Sequence, residues 1–90
     1  MNIVQTPHFR RSYKKLHPNQ HKPVNEAIRH IISDPTCGEE KKGDLAGAKV
    51  YKFGVLDQQL LLAYEHDEET LFLLALGVHE NFYRNLKKDK

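Results

Sequence analysis

Cysteine is nearly missing from this chain of 90 residues: Cys37 is the only one. A lone cysteine rules out an internal disulfide and offers no metal-ligand spacing, which fits a reducing cytoplasm and a passive loop thiol. Tryptophan is absent, so core filling falls to Leu, Ile, Val, Phe and Tyr. The longest apolar run, Leu71 to Leu76, is far short of the roughly 18 residues a membrane span needs. The opening Met1-Asn2-Ile3-Val4-Gln5-Thr6-Pro7 lacks the charged start and long apolar region of a secretion signal. A cytoplasmic protein without membrane association is expected. Repeats and low-complexity tracts are also missing. The chain is expected to form a single domain over residues 1–90, too small for a cofactor-binding lobe beside a substrate lobe, and no cofactor is expected.

Metal sites are not expected either. Among the 6 histidines, His17 and His21 have a helical spacing, but Pro18 breaks the helix that would place them on one face. The acidic stretch His66-Asp67-Glu68-Glu69 lacks the alternating oxygen ligands and glycine of a calcium loop and reads as a solvated hairpin turn.

With 39% hydrophobic and 29% charged residues, the composition is that of a soluble globular domain. The formal net charge is only +2, but its distribution is uneven. Arg10, Arg11, Lys14, Lys15 and Lys22 load the first quarter. Arg84, Lys87, Lys88 and Lys90 load the end, and acids gather at Glu39-Glu40 and from Glu65 to Glu69. Each basic run alone reads as a solvated helix face. Brought together by the fold, the two ends would make a cationic face suited to a phosphate backbone or an acidic partner.

Ile3 and Val4 suggest a short first strand. Thr6 then reads as a helix N-cap and Pro7 as the first helical residue, where a missing amide hydrogen costs nothing. Phe9, Tyr13 and Leu16 mark one apolar stripe, with Arg10, Arg11, Lys14 and Lys15 pointing elsewhere. His17-Pro18-Asn19 interrupts this helix. A second begins with Pro18 or Pro23 in its first turn and carries Val24, Ala27, Ile28, Ile31 and Ile32 along one side until Asp34-Pro35 ends it. Thr36 to Gly47 shows no periodicity and reads as an exposed loop anchored by Leu45.

From Ala48 the pattern changes to strand-length segments: Val50 to Val55, Leu60 to Tyr64, and Leu71 to Leu76. Short polar connections imply an antiparallel meander. After Gly77, the spacing of Phe82 and Leu86 suits a last short helix with Arg84, Lys87 and Lys88 outward. The expected fold class is α+β, in the order β-α-α-β-β-β-α, with a helical hairpin packed on a small curved antiparallel sheet.

Chemistry is expected where the third long strand stops. Gly77 delivers Val78-His79-Glu80-Asn81-Phe82-Tyr83-Arg84, a proton carrier followed within a helical turn by an acid, a phenol and a cation. Histidine both accepts and donates a proton near neutrality, its unperturbed pKa being about 6.5. A histidine after a strand is more often a cap or a surface residue, and Phe82 and Tyr83 at a helix start are more often core anchors. Lys52, in an alternating strand, is an outward polar residue unless its face binds a ligand.

The order of elements, with Asp44-Leu45-Ala46-Gly47, Val50-Tyr51-Lys52-Phe53, Leu60 to Glu65 and Leu73 to His79 at their spacing, resembles the RelE/ParE superfamily of bacterial type II toxins over nearly the whole chain. That resemblance implies one of two activities, ribosome-dependent mRNA cleavage or poisoning of DNA gyrase. It implies a cognate antitoxin as partner in either case. Lys52 matches a strand lysine of RelE-type nucleases. His79 falls where the YafQ branch has its histidine and RelE an arginine, and Tyr83 lies near a functional aromatic in both. The ending Gly77 to Tyr83 looks most like the YafQ type. Gly54 stands where RelE has a second lysine, and Leu61 where it has a phosphate-binding arginine.

The catalytic set implied is His79, Lys52 and Tyr83, with Glu80 or Asp57 orienting the imidazole. Arg10, Arg11, Lys14, Lys15, Arg84, Lys87 and Lys88 are the expected RNA-binding cations. The implied partners are the ribosome and mRNA, or DNA gyrase in the alternative.

Overall fold

The computed structural model describes residues 2–43, 46–55 and 58–78. The chain enters as strand β1 (Asn2–Gln5) and turns at once into helix α1 (Pro7–Lys14). Thr6 is the N-cap: its backbone is extended and its hydroxyl accepts the Phe9 N–H at 3.1 Å, with Pro7 in the first turn. The helix closes by tightening, the Lys15 N–H reaching both the Arg11 and Ser12 carbonyls. Helix α2 (Pro18–Ser33) follows, with His17 in extended conformation and its backbone N–H donated to the Gln20 side chain at 3.0 Å. Pro18, not Pro23, opens it, and it ends at Ser33, two residues before Pro35, whose ring disfavours helical backbone at Asp34.

A 3-10 turn (Pro35–Cys37) and a two-residue strand β2 (Glu39–Glu40) occupy the stretch that the sequence marks as an aperiodic loop. Pairing with β3 accounts for β2, since Glu39 lies opposite Val50 and Glu40 opposite Lys49. Strands β3 (Lys49–Val55), β4 (Gln58–His66) and β5 (Thr70–Val78) form the expected antiparallel meander. Five strands lie in the order β1-β5-β4-β3-β2. β1 runs parallel to β5, so the sheet is mixed: the chain crosses through both helices and the meander before β5 meets β1. Leu45, the Leu56-Asp57 connection and the expected C-terminal helix lie outside the described residues.

Alternation along β3 to β5 sends one set of side chains to the helices and the other to the opposite face. Phe9, Val24 and Ile31 from the helices meet Val55, Leu60, Leu62, Tyr64, Leu71, Leu73 and Leu76 in the main core. Val50, Leu61, Ala63 and Ala75 cluster on the other face. Strict alternation would send Ala75, not Leu76, toward the helices. A register shift prevents this: Ala63 pairs with Ala75 and Tyr64 with Leu73, leaving Leu74 as the extra residue of a bulge. The bulge resets the phase, so Leu71, Leu73 and Leu76 all enter the helix-side core.

Tyr64 ties the short strand region to this core. Its hydroxyl donates to the Pro35 carbonyl at 2.6 Å and accepts the Gly38 N–H at 3.0 Å. Gly38 is required by that approach, because a Cβ there would stand 2.6 Å from the Tyr64 oxygen.

Candidate functional site

Lys52 is the one residue of the expected catalytic set among those described. It sits at the middle of β3, exposed, between buried Val50 and half-buried Tyr51 and Phe53. Register places Lys52 opposite Leu61, and Leu61 opposite Gly77. One row across three strands therefore carries a cation, a fully buried leucine and a glycine, on the face away from the helices. The adjacent row is Phe53, Leu60 and Val78. At the usual interstrand spacing, Lys52 and Gly77 are about 10 Å apart across the sheet.

Val78 is the last described residue of β5. His79, Glu80, Tyr83, Arg84, Lys87 and Lys88 lie outside the described residues, as does Asp57. Arg10, Arg11, Lys14 and Lys15 are all exposed on α1. Helix α1 packs on β5 through Phe9, which belongs to the helix-side core. These four cations thus lie on the helix layer and Lys52 on the opposite face of the sheet.

His21 and His30 serve the packing of the helical layer. His21 stacks on Tyr13 with ring centroids 4.5 Å apart and planes 8° from parallel, and its Nε2 lies 3.1 Å from the Tyr13 carbonyl oxygen. The Tyr13 hydroxyl donates to Asn25 Oδ1 at 3.0 Å, so the contact pins α1 to α2. His30 stacks on Tyr51 at 5.4 Å, and Tyr51 on Phe53 at 5.9 Å. No group of three metal-ligating side chains gathers among the described residues. In the acidic turn, Asp67 Oδ1 accepts the N–H groups of Glu69 and Thr70 at 2.8 and 2.7 Å, closing the β4–β5 hairpin.

Among the described residues, open depressions lie beside the sheet. One, of about 370 Å³, is lined by Thr6, Glu65, His66, Asp67, Phe72 and Leu74. Another, of about 260 Å³, lies between α2 and β3 and is lined by Pro23, Glu26, Ala27, His30, Tyr51, Phe53 and Gly54. Sequence reasoning missed the second one. Its only signal was the Tyr51-Phe53 alternation, which also reads as core.

Burial pushes the Tyr64 hydroxyl up to about 12, and burial likewise pushes the Cys37 thiol up. The Thr36 hydroxyl and N–H donating to Asp34 hold that carboxylate below its ordinary value. No described helix is long and apolar enough to cross a membrane.

A sequence model described as the ParE-like toxin of type II bacterial toxin-antitoxin systems matches residues 3–87. No curated relative matches the chain. Among solved structures, the RelBE2 toxin-antitoxin complex of Mycobacterium tuberculosis aligns with a TM-score of 0.73 and 26% identity, covering 87% of this chain and 96% of that one. The intact Escherichia coli RelBE complex gives 0.72 at 14% identity, covering 88% and 96%. The YoeB/ParE toxin from Agrobacterium tumefaciens gives 0.66 at 20% identity, covering 88% and 99%. The last two likenesses speak to the fold alone.

Proposed function

This chain belongs to the ParE-like toxin family of type II bacterial toxin-antitoxin systems, and from that premise we propose that it is a ribosome-dependent endoribonuclease that cuts mRNA and is neutralised in the cytoplasm by a cognate antitoxin. The observation that carries this reading is Lys52, an exposed cation on the sheet face away from the helices, one row from the strand end that precedes His79.

The chemistry needs no metal. His79 takes the 2′-hydroxyl proton or protonates the departing 5′-oxygen, and Lys52 offsets the charge that builds on the phosphate. Glu80 or Asp57 orients the imidazole, and Tyr83 stacks on an unpaired base. Arg10, Arg11, Lys14, Lys15, Arg84, Lys87 and Lys88 supply the cations that grip ribosomal RNA. General acid-base participation of this kind is worth about a hundredfold to ten-thousandfold. The ending from Gly77 to Tyr83 favours a YafQ-like site over a RelE-like one.

A specific observation favours a second reading, inhibition of DNA gyrase by binding alone. Leu61 is fully buried opposite Lys52 and Gly54 bears no side chain, so among the described residues this part of the face offers Lys52 as its cation. The two readings separate in a transcriptome-wide map of new RNA 5′ ends taken soon after induction of the wild-type chain, His79→Ala and Lys52→Ala. Cuts within translated frames that vanish in His79→Ala and weaken in Lys52→Ala support the nuclease. Growth arrest with intact messages and accumulating DNA breaks supports gyrase.

A further inference from the structure

Strand β1 closes one end of the sheet. β5 pairs with it on one side, and no described strand stands on the other. The direction of its backbone groups follows from two hydrogen bonds. The Asn2 N–H donates to the Glu69 carbonyl at 2.7 Å and the Thr6 N–H to the Leu73 carbonyl at 3.1 Å, so Asn2, Val4 and Thr6 turn their polar groups toward β5. The N–H and C=O of Ile3 and Gln5 therefore face outward, away from every described strand.

Sheets guard such an edge by keeping it short or by placing charges, proline or a bulge on it. Beyond being short, β1 has none of these: Asn2, Ile3, Val4 and Gln5 are uncharged, and their register with β5 runs without a break. Ile3 and Val4 are 43% and 45% exposed, so large apolar side chains stand open on both faces of the edge. Leu71 enters the helix-side core, so Ile3, its register partner, lies on that side, and Val4 lies on the other beside Phe72. A phosphate backbone or a charged segment finds no counter-charge along this strand.

We propose that β1 pairs antiparallel with the β1 of a second copy of this chain, about a twofold axis through Val4, joining the two sheets into one. Symmetry and hydrogen bonding select this register. A twofold axis normal to the sheet sets residues of the same face opposite each other, so it passes through a residue, Ile3 or Val4. Centring on Ile3 bonds only the Ile3 pair and leaves Gln5 beyond Asn2 of the other copy. Centring on Val4 lets Ile3 of each copy exchange both hydrogen bonds with Gln5 of the other, so every outward group of these residues is met. Val4 then faces its own copy at the close, non-hydrogen-bonded spacing of about 4.5 Å between Cα atoms. Phe72 and Val4 of one copy continue into Val4 and Phe72 of the other as a single apolar row. Both helix layers fall on the same side of the joined sheet, so the α1 cations of the two copies share one face. The pairing is independent of whether mRNA or gyrase is the target.

Strands of four residues bury far less than a stable interface needs, so the dimer is weak, with a dissociation constant of about 0.1–1 mM. Sedimentation velocity of the full chain up to about 1 mM should show a reversible shift from monomer to dimer. Val4→Lys sets like charges opposite each other at an exposed position and should weaken the dimer by about tenfold or more, with urea unfolding confirming that the variant is folded. Amide exchange by NMR should slow with protein concentration at Ile3 and Gln5 but not at Thr6, whose N–H is bonded to β5 in either state. In a Cys37→Ala background, Val4→Cys should oxidise to a covalent dimer at least about tenfold faster than Ile3→Cys, because the Ile3 pair, two residues out of register, lies past the about 7 Å a disulfide tolerates. A monomer throughout the concentration range, a dimer untouched by Val4→Lys, or equal trapping at Val4 and Ile3 would each overturn the proposal.

Discussion

The Thr6 hydroxyl donates to the Leu74 carbonyl at 2.7 Å, joining residues 68 positions apart. The Thr6 N–H also donates to the neighbouring Leu73 carbonyl at 3.1 Å. A regular strand would aim those two carbonyls at opposite edges; the bulge at Leu74 turns both toward Thr6. The same hydroxyl accepts the Phe9 N–H, so one side chain starts α1 and holds the bulge that puts Leu76 into the core. Thr6→Ala is expected to cost about 1–2 kcal/mol in urea unfolding. Thr6→Ser, which keeps the oxygen, should recover most of it. Equal losses in both variants would mean that the methyl group, not the hydroxyl, carries the effect.

Tyr64 should make stability fall in alkali. Its folded pKa is raised to about 12 from an ordinary value of 10.0, chiefly because burial disfavours the phenolate. Between those two values the unfolded chain loses the proton and the folded chain keeps it, so stability declines as pH rises through that window. Tyr64→Phe should remove this dependence. It should also cost about 1–3 kcal/mol at neutral pH, because the Gly38 N–H and the Pro35 carbonyl lose their partner. Urea unfolding at pH 7 and across the alkaline range reads both effects.

Local rules made much of this fold legible. Thr6-Pro7 and Asp34-Pro35 announce helix ends by chemistry that acts within a few residues, and the α1 stripe and β3 alternation follow from period alone. The pieces that escaped depend on distant partners. Glu39-Glu40 becomes strand only because Val50 lies beside it, and the parallel placement of β1 depends on a strand almost seventy residues away. The bulge is invisible in Leu71 to Leu76, since a continuous apolar run carries no phase. For the site, family resemblance singled out Lys52, and register shows what composition could not: its neighbour across the strand is a buried leucine. The groove beside His30 arises from α2 meeting β3, and no local pattern encodes that meeting.

Cys37 should be a slow thiol. It is partly buried against the helix-side core, and burial raises its pKa, so little reactive thiolate forms near neutrality. Reaction with Ellman's reagent at pH 8 is expected to be several-fold slower in the folded chain than in urea. Tyr64→Phe should speed it by loosening the segment from Pro35 to Gly38. A folded rate equal to the unfolded one would show that the segment opens faster than the reagent reacts.

Helix α1 carries its packing and its charge on different faces. Its buried residue is Phe9, while Arg10, Arg11, Lys14 and Lys15 project from the exposed surface. Replacing these four with alanine should leave urea stability within about 1 kcal/mol, since surface substitutions away from caps and packing act weakly. Binding to purified ribosomes should fall, and the fall should be greatest at low salt. For RNA contacts, each cation that neutralises a phosphate contributes a slope of about 0.7 in log affinity against log salt, by analogy with single strands. A variant that binds more weakly with a correspondingly shallower slope places α1 on the phosphate backbone. An unchanged slope would assign these cations to solubility and count against α1 as a surface that meets RNA.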